Sequence, residues 1–153
     1  MSPSRERAIC NPNNEIGQER FRLYKSAFSW ISKSIEDGYY LEAINIIESL
    51  ICDRLESHLS LLLEENYGFK NLGNLIDKIK QHETDEQLHL IITQDLDEWR
   101  KKRNKAAHEM VKIEKGIEIT WQERVKINKQ IAERGLELVR QIDKRIRQLK
   151  AEY

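Results

Sequence analysis

An all-α fold, an up-and-down bundle of four long helices and one short helix, follows from three features of this sequence. Apolar residues recur every three or four positions over most of its length. The 153 residues include only two Pro and six Gly, so few points break a helix. Charged residues make up 34% and hydrophobic residues 39%, the balance of long helices with polar outer faces. The length suits one domain able to bury a core without covalent staples. Residues 1–14 are polar and read as a disordered lead-in, and 15–153 as a single helical domain.

The first helix is expected over Glu15 to Ile35, with Phe21, Tyr24, Phe28, Ile31 and Ile35 as its inward stripe and Gly38 as its stop. The second, Tyr40 to Glu65, carries Ile44, Ile47, Ile51, Leu55, Leu59 and Leu62, widened by Leu50, Leu61 and Leu63. A stripe that wide marks a central helix with neighbours on two sides. Asn66-Tyr67-Gly68-Phe69 breaks it, and a short helix follows from Leu72 to Gln81. Thr84-Asp85-Glu86-Gln87 has capping-box spacing and opens a fourth helix running to Lys112, with Leu88, Ile92, Leu96, Trp99, Arg103, Ala106 and Met110 inward. Ile113 to Ile119, containing Gly116, is a loop or a very short hairpin. A second capping box, Thr120-Trp121-Gln122-Glu123, starts the last helix, which runs to Lys150 on Trp121, Val125, Asn128, Ala132, Gly135, Val139, Ile142, Ile146 and Leu149.

No apolar run approaches the roughly 18 residues of a membrane span. Met1 to Asn14 lacks the apolar core of a secretory signal. Cys10 and Cys52 are the only cysteines, too few for a disulfide framework or a metal cluster, and a reducing cytoplasm is the simplest setting. Cys52 reads as a small buried hydrophobe. Net charge is zero, but residues 1–98 hold 10 Lys/Arg against 18 Asp/Glu, and residues 99–153 hold 16 against 8. The switch falls at Trp99, where Arg100, Lys101, Lys102, Arg103 and Lys105 follow. Such a segment attracts a polyanion such as RNA, or packs beside acidic helices of its own fold or of a dimer.

Arg103 is the anomaly, a guanidinium at a stripe position. It must find an acceptor there, by pairing with a carboxylate such as Glu48 or Asp53, by snorkelling to water, or by lining a polar cleft that takes an anion. His108 follows five residues later, about 140° around the helix axis, so the two do not form an i,i+4 pair. Asn104 and His108 do, and the amide can orient the imidazole. The chemistry that fits is metal-free cleavage of RNA. A histidine moves the proton of the 2′-hydroxyl or of the leaving oxygen, an arginine holds the phosphate, and the product ends in a 2′,3′-cyclic phosphate. His58, His82 and His89 have no His or Cys partner at ligand spacing, and the acidic residues from Glu83 to Glu98 are scattered as on a solvated face, so neither a metal site nor a cofactor is expected. No glycine-rich phosphate loop or nucleophile elbow occurs.

The stretch Arg103-Asn104-Lys105-Ala106-Ala107-His108 resembles the motif of HEPN (higher eukaryotes and prokaryotes nucleotide-binding) domains: an Arg, often a polar residue next, then a His after a gap of four to six. Its place toward the end of a long helix before the final one is also similar, as is Gly38-Tyr39-Tyr40-Leu41-Glu42-Ala43-Ile44 to an earlier helix of that family. The likeness spans most of 15–150. It implies an all-α ribonuclease that needs no metal and works as a homodimer, with Arg103, Asn104 and His108 in a cleft between two copies. RNA backbone contacts would come from Arg100, Lys101, Lys102 and Lys105. It also implies a toxin of a toxin–antitoxin or phage-defence system, sometimes partnered by a small nucleotidyltransferase antitoxin. In one branch that partner modifies a Tyr two residues after the His, a position filled here by Met110. Other members only bind nucleotides or act as interaction scaffolds.

Overall fold

The computed structural model describes residues 5–151, and these are all helix and connecting segments without a strand. The helices are α1 (Glu15–Asp37), α2 (Tyr40–Leu62), α3 (Leu72–His82), α4 (Glu86–Leu90), α5 (Asp97–His108) and α6 (Trp121–Ala151), with a π-helical segment (Ile91–Leu96) joining α4 to α5 without a break. The expected helical bundle is therefore what forms. α2 is its centre, packed against α1, α3 and α6, as its wide apolar stripe requires. Ile44, Ile47, Ile51, Leu55 and Leu59 are all buried there.

Most helix ends obey their local chemistry. Gly38 closes α1 in the left-handed conformation at φ 88°. The Thr120–Glu123 capping box forms reciprocally: the Thr120 amide donates to Glu123 Oε2 at 2.9 Å, and the Glu123 amide donates to Thr120 Oγ1 at 3.1 Å. Elsewhere the expectation is corrected. Asp85, not Thr84, caps α4, because its carboxylate takes the Leu88 amide at 2.9 Å. The fourth helix ends at His108 rather than Lys112, α2 ends at Leu62 rather than Glu65, and Phe21 and Trp121 turn outward. The 109–120 connection is a loop, the first of the two forms expected for it.

The π-helical segment explains the spacing of the fourth stripe. Leu88, Ile92 and Leu96 are four residues apart and all buried, as a wider turn demands. The Thr93 hydroxyl donates to the His89 carbonyl at 2.7 Å, a contact that competes with the helical ladder and helps open it. The extra residue shifts the phase of α5 and brings Trp99 onto α6.

Part of the lead-in expected over 1–14 lies outside the described residues. Residues 5–14 contain no helix or strand, yet Arg7 is anchored. Its guanidinium reaches Asp53 at 2.6 Å and Glu56 at 3.0 Å, and its backbone exchanges two hydrogen bonds with the Asn66 amide.

Trp99 locks α5 to α6. It is 2% exposed and donates from Nε1 to the Ile131 carbonyl at 2.8 Å. Gly135, one turn further along α6, makes room: a Cβ there would lie 2.8 Å from Trp99 Cζ2 and 3.0 Å from two more ring atoms. Overpacking of about 1–3 kcal/mol outweighs the gain in helix propensity of about 1 kcal/mol that Ala brings. Gly135→Ala is therefore expected to lower stability by about 1–2 kcal/mol in urea unfolding. An equal or higher unfolding midpoint would contradict this packing.

Candidate functional site

α5 and the two residues after it carry two different faces. Trp99, Lys102, Ala106, Glu109 and Met110 face α6, and Arg103 is turned toward α2. There the Arg103 guanidinium pairs with Glu48, so of the three resolutions open to it the structure shows pairing with a carboxylate. Arg103 Nη1 also donates to Asn104 Oδ1 at 2.7 Å, so Asn104 holds Arg103 rather than the imidazole. Arg103 Nε is buried without a hydrogen-bond partner, and the side chain as a whole keeps 19% of its exposure. His108 is the last residue of α5. It is exposed and forms no hydrogen bond or ion pair with any described residue. The structure thus brings Arg103 and Asn104 together and leaves His108 on another side of the same helix.

The basic run is largely neutralised by carboxylates close at hand. Asp97 takes Arg100 at 2.9 Å and Lys101 at 3.3 Å, and Glu98 takes Lys102 at 3.0 Å. Lys105 alone of the run forms no ion pair among the described residues. Such one-turn surface pairs contribute about 0.3–0.5 kcal/mol each and yield readily to a phosphate that offers more contacts.

On the α6 side lies a groove of about 490 Å³. Trp99, Ala106, Met110 and Ile131 give it an apolar wall. Asn128 lies against it, 3% exposed, with Nδ2 donating to Met110 Sδ at 3.1 Å and Oδ1 lacking any protein partner. The groove's end is closed by the 109–120 loop, which Arg124 fixes. Its Nη1 and Nη2 donate to the carbonyls of Glu109 and Lys112, both at 2.7 Å, and its Nε to that of Ile119 at 3.3 Å. The bond to Glu109 lies at the cap of α5, and the other two hold carbonyls of the loop.

No family model matches the chain. No curated protein and no solved structure matches it significantly either. What it does must be read from its own residues.

Several of those residues escaped the sequence pattern. Asn128 sits at a stripe position, where polarity was the only signal. Arg54 and Asp143 are both buried and approach to 2.9 Å, joining α2 to α6, but the Arg54 N–H is poorly aligned for a hydrogen bond. Burial pushes the Cys52 thiol up to about 12, so it is protonated and unreactive at neutral pH. Among the described residues no three His, Cys, Asp or Glu side chains converge as metal ligands would.

His58 and Glu83 tie α2 to the turn after α3, Nε2 to Oε2 at 2.5 Å. Burial alone would raise the Glu83 carboxyl, but the hydrogen bonds from His58 and the Asp85 amide hold it below its ordinary value of 4.5. A depressed carboxyl stabilises the fold fully above its unfolded pKa, and this contribution fades as pH falls through the folded one. Glu83→Gln is expected to cost about 1 kcal/mol at pH 7, with the gap to wild type narrowing toward pH 3 in urea titrations. A gap independent of pH would refute that assignment.

Proposed function

We propose that this protein is a metal-independent RNA endonuclease of the HEPN kind, working as a homodimer and serving as a toxin in a toxin–antitoxin or phage-defence system. The observation that carries the reading is the division of labour at the end of α5. Glu48 and Asn104 fix the Arg103 guanidinium in place, while His108 projects from the last turn with no partner among the described residues. A fixed cation and a free imidazole are the two groups that metal-free phosphodiester cleavage needs.

In this mechanism the RNA's own 2′-oxygen attacks the adjacent phosphorus, and the bond to the 5′-oxygen breaks. His108 removes the 2′-hydroxyl proton or supplies one to the departing 5′-oxygen, and the other proton is exchanged with water or the second copy's imidazole. Arg103 balances the charge that builds on the phosphoryl oxygens. The two groups lie about 7.5 Å apart along the helix and about 140° around it, so one chain does not present both to one phosphate. A second copy of α5 supplies the complement. Arg100, Lys101, Lys102 and Lys105 attract the flanking backbone. If a small nucleotidyltransferase is the antitoxin, it controls this chain without a tyrosine two residues after the histidine, since Met110 stands there.

The Arg103–Glu48 pair favours a second reading, a non-catalytic helical module in which Arg103 only joins α5 to α2. The two part company in one assay. Purified protein in excess chelator is expected to cut single-stranded RNA to 2′,3′-cyclic phosphate ends, and His108→Ala to lower the rate by about 10²-fold or more. The variant should keep the wild-type melting temperature, because His108 is exposed and unbonded. Absence of cleavage would leave the module reading, and cleavage that vanishes with chelator, or that survives the substitution, would overturn the metal-free His108 mechanism.

A further inference from the structure

We propose that the groove between α5 and α6 is a base-reading pocket in which the Asn128 amide pairs with the edge of an adenine. The pocket deepens the proposed RNA chemistry and rests on it only for the link to cleavage.

Asn128 is the reason. An amide that is only 3% exposed should have its hydrogen bonds satisfied, because an unmade one costs about as much as it would have contributed. Here the Oδ1 has no protein partner, and the Nδ2 spends one N–H on a thioether, a weak acceptor. Trp99, Ala106, Met110 and Ile131 give the groove an apolar wall, and the nearby Arg124 guanidinium is spent on the carbonyls of Glu109 and Lys112. The Trp99 N–H is already committed to the Ile131 carbonyl. One donor and one acceptor therefore stand side by side against the groove's apolar wall. That pattern complements adenine, whose N6 amino group donates beside the accepting N7, and an asparagine reading both is the usual pairing.

Size and access agree. The groove's volume of about 490 Å³ falls within the range of small-ligand sites. Met110, the residue over the amide, lies just beyond the end of α5, and its unbranched side chain rearranges easily. Around the groove, among the described residues, Lys102 and Arg134 are paired with Glu98 and Asp95, which leaves one cation for the phosphate that a nucleotide carries beside its base. Lys105, with no ion pair among the described residues, is on the rim. His108, three residues beyond it, lies only about 60° around the helix. A nucleotide with its base in the groove lays its phosphate across Lys105 toward His108.

The test is adenosine 5′-monophosphate titrated into the full chain, followed by calorimetry and by the side-chain amide resonances of Asn128. Binding that shifts those resonances is expected. Inosine 5′-monophosphate, which replaces the N6 donor by an oxygen, should bind about tenfold more weakly or worse. Ribose 5-phosphate should leave the Asn128 amide unmoved. Asn128→Leu, which fills the same space without hydrogen bonds, should abolish the preference for adenine. If that variant fails to fold, the wild-type resonances still decide. An Asn128 amide that ignores adenosine monophosphate, or equal affinity for all three ligands, would overturn the proposal. Binding is read here without cleavage. A protein that binds through Asn128 yet cuts no RNA refutes the nuclease and keeps the pocket, and a nuclease whose Asn128 ignores the nucleotide does the reverse.

Discussion

The rest of the structure depends on the wedge of Trp99 against Gly135. An indole enters between two helices only if one backbone gives way, and a missing Cβ is the least costly way to give. The reward is directional as well as apolar: the ring fills the α5–α6 seam, and its N–H shares the Ile131 carbonyl with the helix's own ladder. That bond fixes both the rotation and the height of α5. Rotation sends Arg103 toward Glu48 and leaves Met110 over Asn128. Height places His108 at the free end of the helix, where Arg124 gathers up the loop behind it.

From this one constraint α5 acquires two unlike faces. Toward α2 it offers a guanidinium whose geometry is fixed by a carboxylate and a neighbouring amide. Toward α6 it offers the apolar Trp99 and Ala106, opposite the under-used amide of Asn128 on α6. The charges between them, Arg100, Lys101 and Lys102, are balanced by carboxylates one turn away, so the segment is less cationic in the fold than in the sequence. A polyanion gains from such a surface by exchanging weak pairs for phosphate contacts rather than by meeting bare charge. No helix among the described residues is long and apolar enough to cross a membrane.

The helices themselves were legible from periodicity, because burial imposes the 3.6-residue repeat directly on residue choice. Gly38 and the Thr120–Glu123 box announced their ends for the same reason: each is a local solution to a local hydrogen-bonding need. The four-residue steps from Leu88 to Leu96 carried the trace of the π-helical segment, but steps of four also suit an ordinary helix, so the trace was ambiguous. Phe21 and Trp121 fit their stripes in sequence and still face outward, since the stripe says nothing about where a neighbouring helix stops. For Arg103 the sequence left pairing, snorkelling and an anion cleft open, and only tertiary packing set it against Glu48. Periodicity put Asn128 on an inward stripe without giving it a role, and the Arg54–Asp143 pair was hidden altogether, because a polar residue on a buried stripe looks like noise until the surrounding atoms are placed.

In the proposed mechanism the catalytic pair is shared between copies, since α5 turns Arg103 and His108 to different sides. Mixing two inactive proteins, Arg103→Lys and His108→Ala, measures this directly. A shared site regains one wild-type Arg and one wild-type His in each mixed dimer, so RNA cleavage in chelator should reappear on mixing. If the mixture stays as inactive as its components under conditions where subunits exchange, the shared site is contradicted.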